Sequence, residues 1–221
     1  MIVAVVGSGG KTTLIKKLAE QYRAEGKSVL VTTTTHMFIE EDTLLTDDAD
    51  DIIRTLKERG MVMAGVPERI KIKALSRETF DAVSAAADVV LVEADGSKHM
   101  PLKFPNAGEP VIPENTDDII VVRGPHGLGR PAREVCHRLE LVKACLGIED
   151  DALIAPAHVQ KLISKGYLNP LKKAYPSAKI TVSPRHDGSL YQRAVASLLQ
   201  NGQDTALLRR EWFCPQPRLI L

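Results

Sequence analysis

Cysteine is scarce in this 221-residue chain, long apolar runs are missing, and neither sign of charge dominates. The three cysteines, Cys136, Cys145 and Cys214, form no C-x-x-C pair and leave one over. That usage excludes a disulfide framework and suits a reducing compartment. The six histidines show no zinc-finger spacing either, so no structural zinc site is expected. No apolar stretch approaches the ~20 residues of a membrane span. The opening Met1-Ile2-Val3-Ala4-Val5-Val6-Gly7 lacks the basic lead and cleavage site of a signal peptide. Lys+Arg number 29 against 28 Asp+Glu, with no long basic run, which argues against a nucleic-acid binder. These absences together lead us to expect a cytoplasmic chain with no membrane and no nucleic-acid partner.

A hydrophobic fraction of 44 % and a charged fraction of 26 % are those of a folded chain. At roughly 100–200 residues per domain, a single domain over 1–221 is the expectation. Short β-branched runs alternate with amphipathic stretches. Ile2 to Val6 reads as a buried strand, Thr12 to Arg23 as a helix burying Leu14, Ile15, Leu18, Ala19 and Tyr22, and Ser28 to Thr33 as a second strand. Further strands are expected at 61–64, 89–92, 118–122 and 180–182. Helices are expected at 51–59, from Ser76 onward, at 138–146, at 156–165 and at 189–200. The stretch near 98–115 carries Pro101, Pro105, Pro110 and Pro113 and is long for a structureless connection, so an ordered excursion or functional loop is expected there. Strands joined by helices predict an α/β fold of three layers, a mostly parallel sheet with helices on both faces.

The strongest chemical signal is Gly7-Ser8-Gly9-Gly10-Lys11-Thr12-Thr13, between the first strand and the first helix. Phosphate needs several converging N–H donors, and glycines let backbone approach it without a Cβ in the way. A helix that begins there adds its N-terminal N–H groups and dipole. Lys11 supplies a mobile positive charge, and Thr12 a hydroxyl suited to Mg²⁺. The strict spacing G-x-x-x-x-G-K-[ST] would require glycine at Val5, so this loop is two residues shorter. The competing reading, a plain tight turn, leaves Lys-Thr-Thr at the helix start unexplained.

A second signal closes the strand at 89–92: Glu93-Ala94-Asp95-Gly96-Ser97-Lys98. Residues two apart on an extended chain point to one face, so Glu93 and Asp95 are candidates to orient water or an acceptor, with Asp95 also a candidate for Mg²⁺. A surface Asp-Gly turn is the alternative. Weaker candidates are the hydroxyls of Thr32-Thr33-Thr34-Thr35, equally explained by β-propensity, and His36, an ordinary loop histidine. Lys98 and Lys103 flank the proline-rich stretch and suit either an anionic substrate or a solvated surface. Arg123, His126, His137 and Arg138 follow later elements without an assigned role.

The short G-x-x-G-K-T loop resembles that of Mur-type amide ligases, and its flanks resemble small metal-insertion and signal-recognition GTPases. Taken with Val31 to Met37 (VTTTTHM), Val92 to Lys98 (VEADGSK), Pro101 to Lys103 (PLK), Glu109 to Pro113 (EPVIP), Gly127 to Pro131 (GLGRP) and His137-Arg138, the chain resembles the YqeC-type proteins, selenium-dependent hydroxylase accessory factors. That resemblance implies a P-loop NTPase-like fold and a Mg²⁺-dependent factor binding ATP or GTP through Gly7 to Thr13. The implied catalytic residues are Lys11, Asp95 and Glu93, and the implied metal residues are Thr12 and Asp95. It implies a place in maturing a selenium-containing cofactor of molybdenum hydroxylases, as an NTPase or phosphotransferase, or as a nucleotide-switched carrier docking on the client. The implied partners are a molybdenum hydroxylase or a selenium donor protein. A homodimer is expected because small nucleotide switches often pair. Family members often carry an Asn-Lys-x-Asp-like segment for guanine; here Pro184-Arg185-His186-Asp187 lacks the Asn and Lys.

Overall fold

The alternation of β-branched runs with amphipathic stretches sets the layout of the computed structural model, which describes residues 1–183. The expected helix at 189–200, Asp187 and Cys214 lie outside the described residues. The first half contains β1 (Ile2–Gly7), α1 (Lys11–Ala24), β2 (Val29–Thr33), β3 (His36–Phe38), β4 (Thr43–Leu45), α2 (Ala49–Arg59), β5 (Met61–Glu68), β6 (Lys71–Lys73) and α3 (Arg77–Ala86). The second half contains β7 (Val89–Glu93), β8 (Leu102–Lys103), β9 (Asp118–Val122), α4 (Ala132–Val135), β10 (Cys136–His137), α5 (Leu139–Leu146), α6 (Pro156–Ile163), α7 (Asn169–Ala174) and β11 (Lys179–Val182).

The main sheet runs β11-β9-β1-β7-β2-β5-β6-β3, with β4 on β5. The pairs from β11 through β5 are parallel, whereas β5 with β6 and β6 with β3 are antiparallel. Parallel strands covered on both faces should be apolar throughout, and β2 and β7 are buried at every position. Alternate residues divide between two cores. Val3, Val5, Val29, Val31, Val89 and Leu91 pack with α1 on one face. Ala4, Val6, Leu30, Val90 and Val92 pack with α2, α3, α5 and α6 on the other. The architecture is therefore three-layered α/β with a mostly parallel sheet. Among the described residues no helix is long and apolar enough to cross a membrane.

β1 lies between β7 and β9, so the later strands were added on both sides of it. A crevice opens where strand order reverses in this way, at the carboxyl ends of the strands. The first crossover is closed tightly. After α1, Gly26 has φ 78 and donates to Arg23, and Lys27 donates to Tyr22, which completes a Schellman cap.

Three features were not anticipated by the periodicity. β5 continues past Ala64 to Glu68 and folds back on β6, adding an antiparallel margin. His36 sits on β3 in this margin, with its Nε2 2.7 Å from Glu68, and not in a loop. The helix from Pro156 ends at Ile163 and passes into a π-helical turn, Ser164–Leu168, before α7.

Helix α2 has its own start signal: Asp48 Oδ1 accepts from the N–H groups of Asp50 and Asp51 at 2.9 and 3.1 Å. Asp48→Ala is expected to cost about 1 kcal/mol, lowering Tm by roughly 2–4 °C, with Asp48→Asn close to wild type. Thermal unfolding followed by circular dichroism measures both.

Candidate functional site

Gly7 ends β1, Ser8, Gly9 and Gly10 form the loop, and Lys11, Thr12 and Thr13 make the first turn of α1. Gly7, Gly9 and Gly10 have φ of 95, 75 and 124°, a region that side chains rarely adopt. Space forbids a side chain as well. A Cβ on Gly7 would lie 2.1 Å from the Val122 carbonyl oxygen, and one on Gly9 2.4 Å from Gly124 Cα. The segment after β9 thus lies directly behind the loop. Ser8 is turned into this backing, its N–H donating to Val122 O at 3.0 Å and its hydroxyl to Pro101 O at 2.9 Å.

Helix α1 begins its hydrogen-bond ladder at Leu14 N–H to Gly10 O, so the N–H groups of Lys11, Thr12 and Thr13 precede the ladder. No acidic residue occupies its first turn. The positive end of a 14-residue helix therefore opens on the glycine loop at the switch point of the sheet.

Both carboxylates at the end of β7 reach this loop, in different ways. Glu93 Oε2 accepts from Thr12 Oγ1 at 2.8 Å, and its Oε1 lies 3.9 Å from Lys11 Nζ. Burial pushes its carboxyl above the ordinary range, with the charge of Asp95 adding to the rise and Lys11 and Thr12 opposing it. Asp95 has no exposed surface. Its Oδ2 accepts from Gly7 N–H at 3.1 Å and from Tyr167 Oη at 3.0 Å, and lies 3.3 Å from Lys103 Nζ. Its Oδ1 lies 3.3 Å from Lys11 Nζ and has no hydrogen-bond partner. The structure thus pairs Thr12 with Glu93 and places Asp95 deeper, under the start of the loop. Lys11 donates to Gly7 O at 2.9 Å.

Three partners of this arrangement were not singled out for it by the sequence. Lys103, expected at an anionic substrate or on a solvated surface, is buried, donating to Gly96 O and Glu109 Oε2 at 2.6 and 2.7 Å. Arg138 holds Glu109 with both terminal nitrogens, at 2.6 and 2.8 Å. Tyr167 comes from the π-helical turn. Burial, then the charge of Asp95, keeps its phenol well above the ordinary pKa, so it remains a donor. The parallel pairing of β8 with β10 sets Lys103 beside His137 and brings this chain of charges together. Such pairing has a weak local signal, since each strand is two residues long.

The remaining candidates are dispersed. Thr32 and Thr33 donate to the carbonyls of Ala64 and Glu93, and Thr34 to Val111, so these hydroxyls tie segments together. His126 is exposed after β9, as is Thr13 on α1. Burial pushes the Cys136 thiol up to about 11, leaving it a packing residue. Among the described residues no three His, Cys, Asp or Glu side chains converge to hold a metal by themselves. The 98–115 stretch is pinned to the sheet by Val111 N–H to Ala94 O at 2.9 Å, and Tyr175 Oη donates to Ile112 O at 3.0 Å.

Fold and site together define a three-layer α/β protein with a lysine-bearing glycine loop at the head of its central strand. The model of the YqeC protein family matches residues 3–140. A protein of Escherichia coli (strain K12), Uncharacterized protein YqeC, is 34 % identical over 179 residues, covering 73 % of this chain and 67 % of that protein. The chain belongs to the YqeC family.

Glu109 offers a pH test of the buried charges. Burial alone would raise its pKa, but hydrogen bonds and charge from Arg138 and Lys103 outweigh this and hold it below the ordinary 4.5. Its stabilisation is therefore complete above pH 4.5 and disappears as pH falls through the lowered value. Glu109→Gln is expected to cost about 2 kcal/mol at pH 7, because it removes the charge from the partly buried hydrogen bonds to Arg138 and Lys103. Urea unfolding across pH should show the gap to wild type closing below pH 4.5.

Proposed function

We propose that the chain binds a purine nucleoside triphosphate with Mg²⁺ at the glycine loop. The observation that carries this reading is the pairing of Thr12 Oγ1 with the buried Glu93 carboxylate beside Lys11, at the open end of α1. The donor set fits an anion with a divalent cation. Gly9 and Gly10 are free of Cβ, the first N–H groups of α1 precede its ladder, and Asp95 Oδ1 is a buried acceptor without a hydrogen bond.

In this reading the backbone of Gly9 to Thr13 receives the phosphates, and Lys11 leaves Gly7 O to neutralise the terminal ones. Thr12 and Glu93 are the metal side, Glu93 through its carboxylate or a water held by it. Asp95 was expected on the metal; its engagement with Gly7, Tyr167 and Lys103 favours a role holding the loop and Lys11 in place. Mg²⁺ would supply neutralisation of charge on a transferred phosphoryl group. Glu93, at the mouth of the site, is the carboxylate available to orient water or an acceptor hydroxyl, whereas Asp95, also expected there, is fully buried beneath it; hydrolysis or phosphoryl transfer is the proposed reaction class.

The resemblance to selenium-dependent hydroxylase accessory factors supports placing this activity in maturation of a selenium-containing cofactor of molybdenum hydroxylases. A second reading, a nucleotide-switched carrier that docks on the client, is favoured by the chain Lys11–Asp95–Lys103–Glu109–Arg138. That chain runs from the loop to the start of α5 and would pass the state of Lys11 to the 98–115 segment.

Calorimetric titration with ATP and GTP, with and without Mg²⁺, tests the site. Removing the Lys11 charge should cost about 1.5–3 kcal/mol, so affinity in Lys11→Ala should drop roughly 10- to 150-fold. Glu93→Gln should bind with little difference between the Mg²⁺ and Mg²⁺-free titrations. Equal affinity in wild type and a folded Lys11→Ala would refute the assignment.

A further inference from the structure

The antiparallel margin of the sheet keeps one face open to solvent. Its register sets two rungs of three side chains on that face: Glu68, Lys71 and Phe38, and beside them Val66, Lys73 and His36. The rung between them turns inward, with Met37 and Ile72 buried. Phe38 is 41 % exposed, and His36 and Lys73 are exposed as well. The one carboxylate of the two rungs, Glu68, is engaged by His36, its Oε2 2.7 Å from Nε2. Among the described residues neither Lys71 nor Lys73 has a carboxylate within ion-pair distance. Lys71 Nζ lies instead 4.7 Å from the centre of the Phe38 ring.

A separate segment reaches over this face. The His99 ring stacks on Phe38 with centroids 5.4 Å apart and an interplanar angle of 26°. His99 is itself exposed, so the stack ends at solvent. Lys98 and His99, with φ of 48 and 62°, are the central pair of a turn closed by Met100 N–H to Ser97 O at 2.9 Å. Two consecutive positive φ angles make this a type I′ turn, which ordinarily takes Asn-Gly. A bulky imidazole held there against backbone preference points to a requirement other than folding. The stack also stands beside the loop site. Thr34 N–H and Thr33 Oγ1 both donate to Glu93 O, at 3.2 and 2.7 Å, where β2 leads into β3. After β3, Glu40 lies 2.7 Å from Lys16 of α1, one turn beyond Thr12. The His99 turn ends at Pro101, whose carbonyl receives the Ser8 hydroxyl.

We infer that the Phe38–His99 stack, with Lys71 and Lys73, is a platform that binds a small molecule carrying a flat heteroaromatic ring and a phosphate. A ring laid on the exposed end of the stack extends it by one layer, a contact that accepts many ring systems. Lys71 and Lys73 are two residues apart on one face of β6, about 7 Å, and so offer positive charge at the ring and one rung further. That span suits a phosphate joined to the ring by a short linker, as in a mononucleotide. The place of the platform beside Glu93 puts this molecule on the acceptor side of the loop, a role that rests on the nucleotide reading above. Its affinity for a flat anion stands apart from that reading.

The test is site-resolved. Ring signals of the six histidines are followed by NMR during titration with flavin mononucleotide or adenosine monophosphate, and His99 is assigned from His99→Gln. At least one of the two should shift the His99 signal upfield saturably while that of His158, on α6, stays still. Riboflavin and adenosine, which lack the phosphate, and ribose 5-phosphate, which lacks the ring, should bind roughly tenfold more weakly or worse. Phe38→Ala should lose the response and Phe38→Tyr should keep it. Lys73→Glu, at an exposed position, should weaken the mononucleotide and leave riboflavin or adenosine unaffected. Lys11→Ala should respond like wild type. The proposal fails if neither mononucleotide moves His99, or if either half-molecule binds as tightly as the whole. It fails equally if a folded Phe38→Ala or Lys73→Glu binds like wild type, or if the response vanishes in a folded Lys11→Ala. The last result would mean that the mononucleotide enters the glycine loop. A saturable His99 response in a chain that takes up no triphosphate in the calorimetric titration would overturn the nucleotide reading alone.

Discussion

The carboxylate of Asp95 is the constraint on which the site depends. It has no exposed surface, yet it meets Gly7 from β1, Tyr167 from the π-helical turn, Lys103 from β8 and Lys11 from α1. A buried ionised group is costly unless geometry and hydrogen bonds compensate it, so each of these elements must arrive together. Removing Lys11 or Lys103 takes away a countercharge, and removing the Gly7 or Tyr167 donor takes away a hydrogen bond that this buried carboxylate needs. This interdependence fixes the glycine loop against the end of β7 and joins it to the 98–115 segment through a shared lysine.

Held in this way, the loop presents a positive helix end, a lysine and a hydroxyl–carboxylate pair at the crevice where the strand order reverses. The sheet contributes position more than chemistry. β1 and β7 run parallel with Val5 opposite Glu93, so the carboxylates and the loop emerge at the same level. The two acidic residues then separate in role by depth, Glu93 at the mouth with Thr12 and Asp95 beneath it. A site built this way suits charge neutralisation and positioning, the two contributions that dominate phosphoryl chemistry.

Much of this was readable from local pattern. The β1–loop–α1–β2 unit follows from a β-branched run, three glycines and a stripe of Leu14, Ile15, Leu18, Ala19 and Tyr22, all of which α1 buries. The acidic strand end was visible because Glu93 and Asp95 are two apart. What periodicity could not give was depth and distant partnership. Nothing local distinguishes Asp95 from Glu93, since their difference is imposed by Tyr167 and Lys103. Tyr167 projects from a π-helical turn, which breaks the 3.6-residue period. Lys103 lies on a strand of two residues and Arg138 directly follows another, both too short for alternation to register. Gly166 marks the same contact: a Cβ there would lie 2.9 Å from Pro105, so glycine permits the turn to approach the proline-rich segment.

A structure of the protein crystallised with a non-hydrolysable triphosphate and Mg²⁺ tests the central claim most directly. The account predicts phosphates along Gly9 to Thr13, Lys11 Nζ moved from Gly7 O onto the terminal phosphate, and Thr12 Oγ1 moved from Glu93 to the metal, with Asp95 still bonded to Gly7 and Tyr167. Bound nucleotide elsewhere, with Lys11 still on Gly7 O, would contradict it.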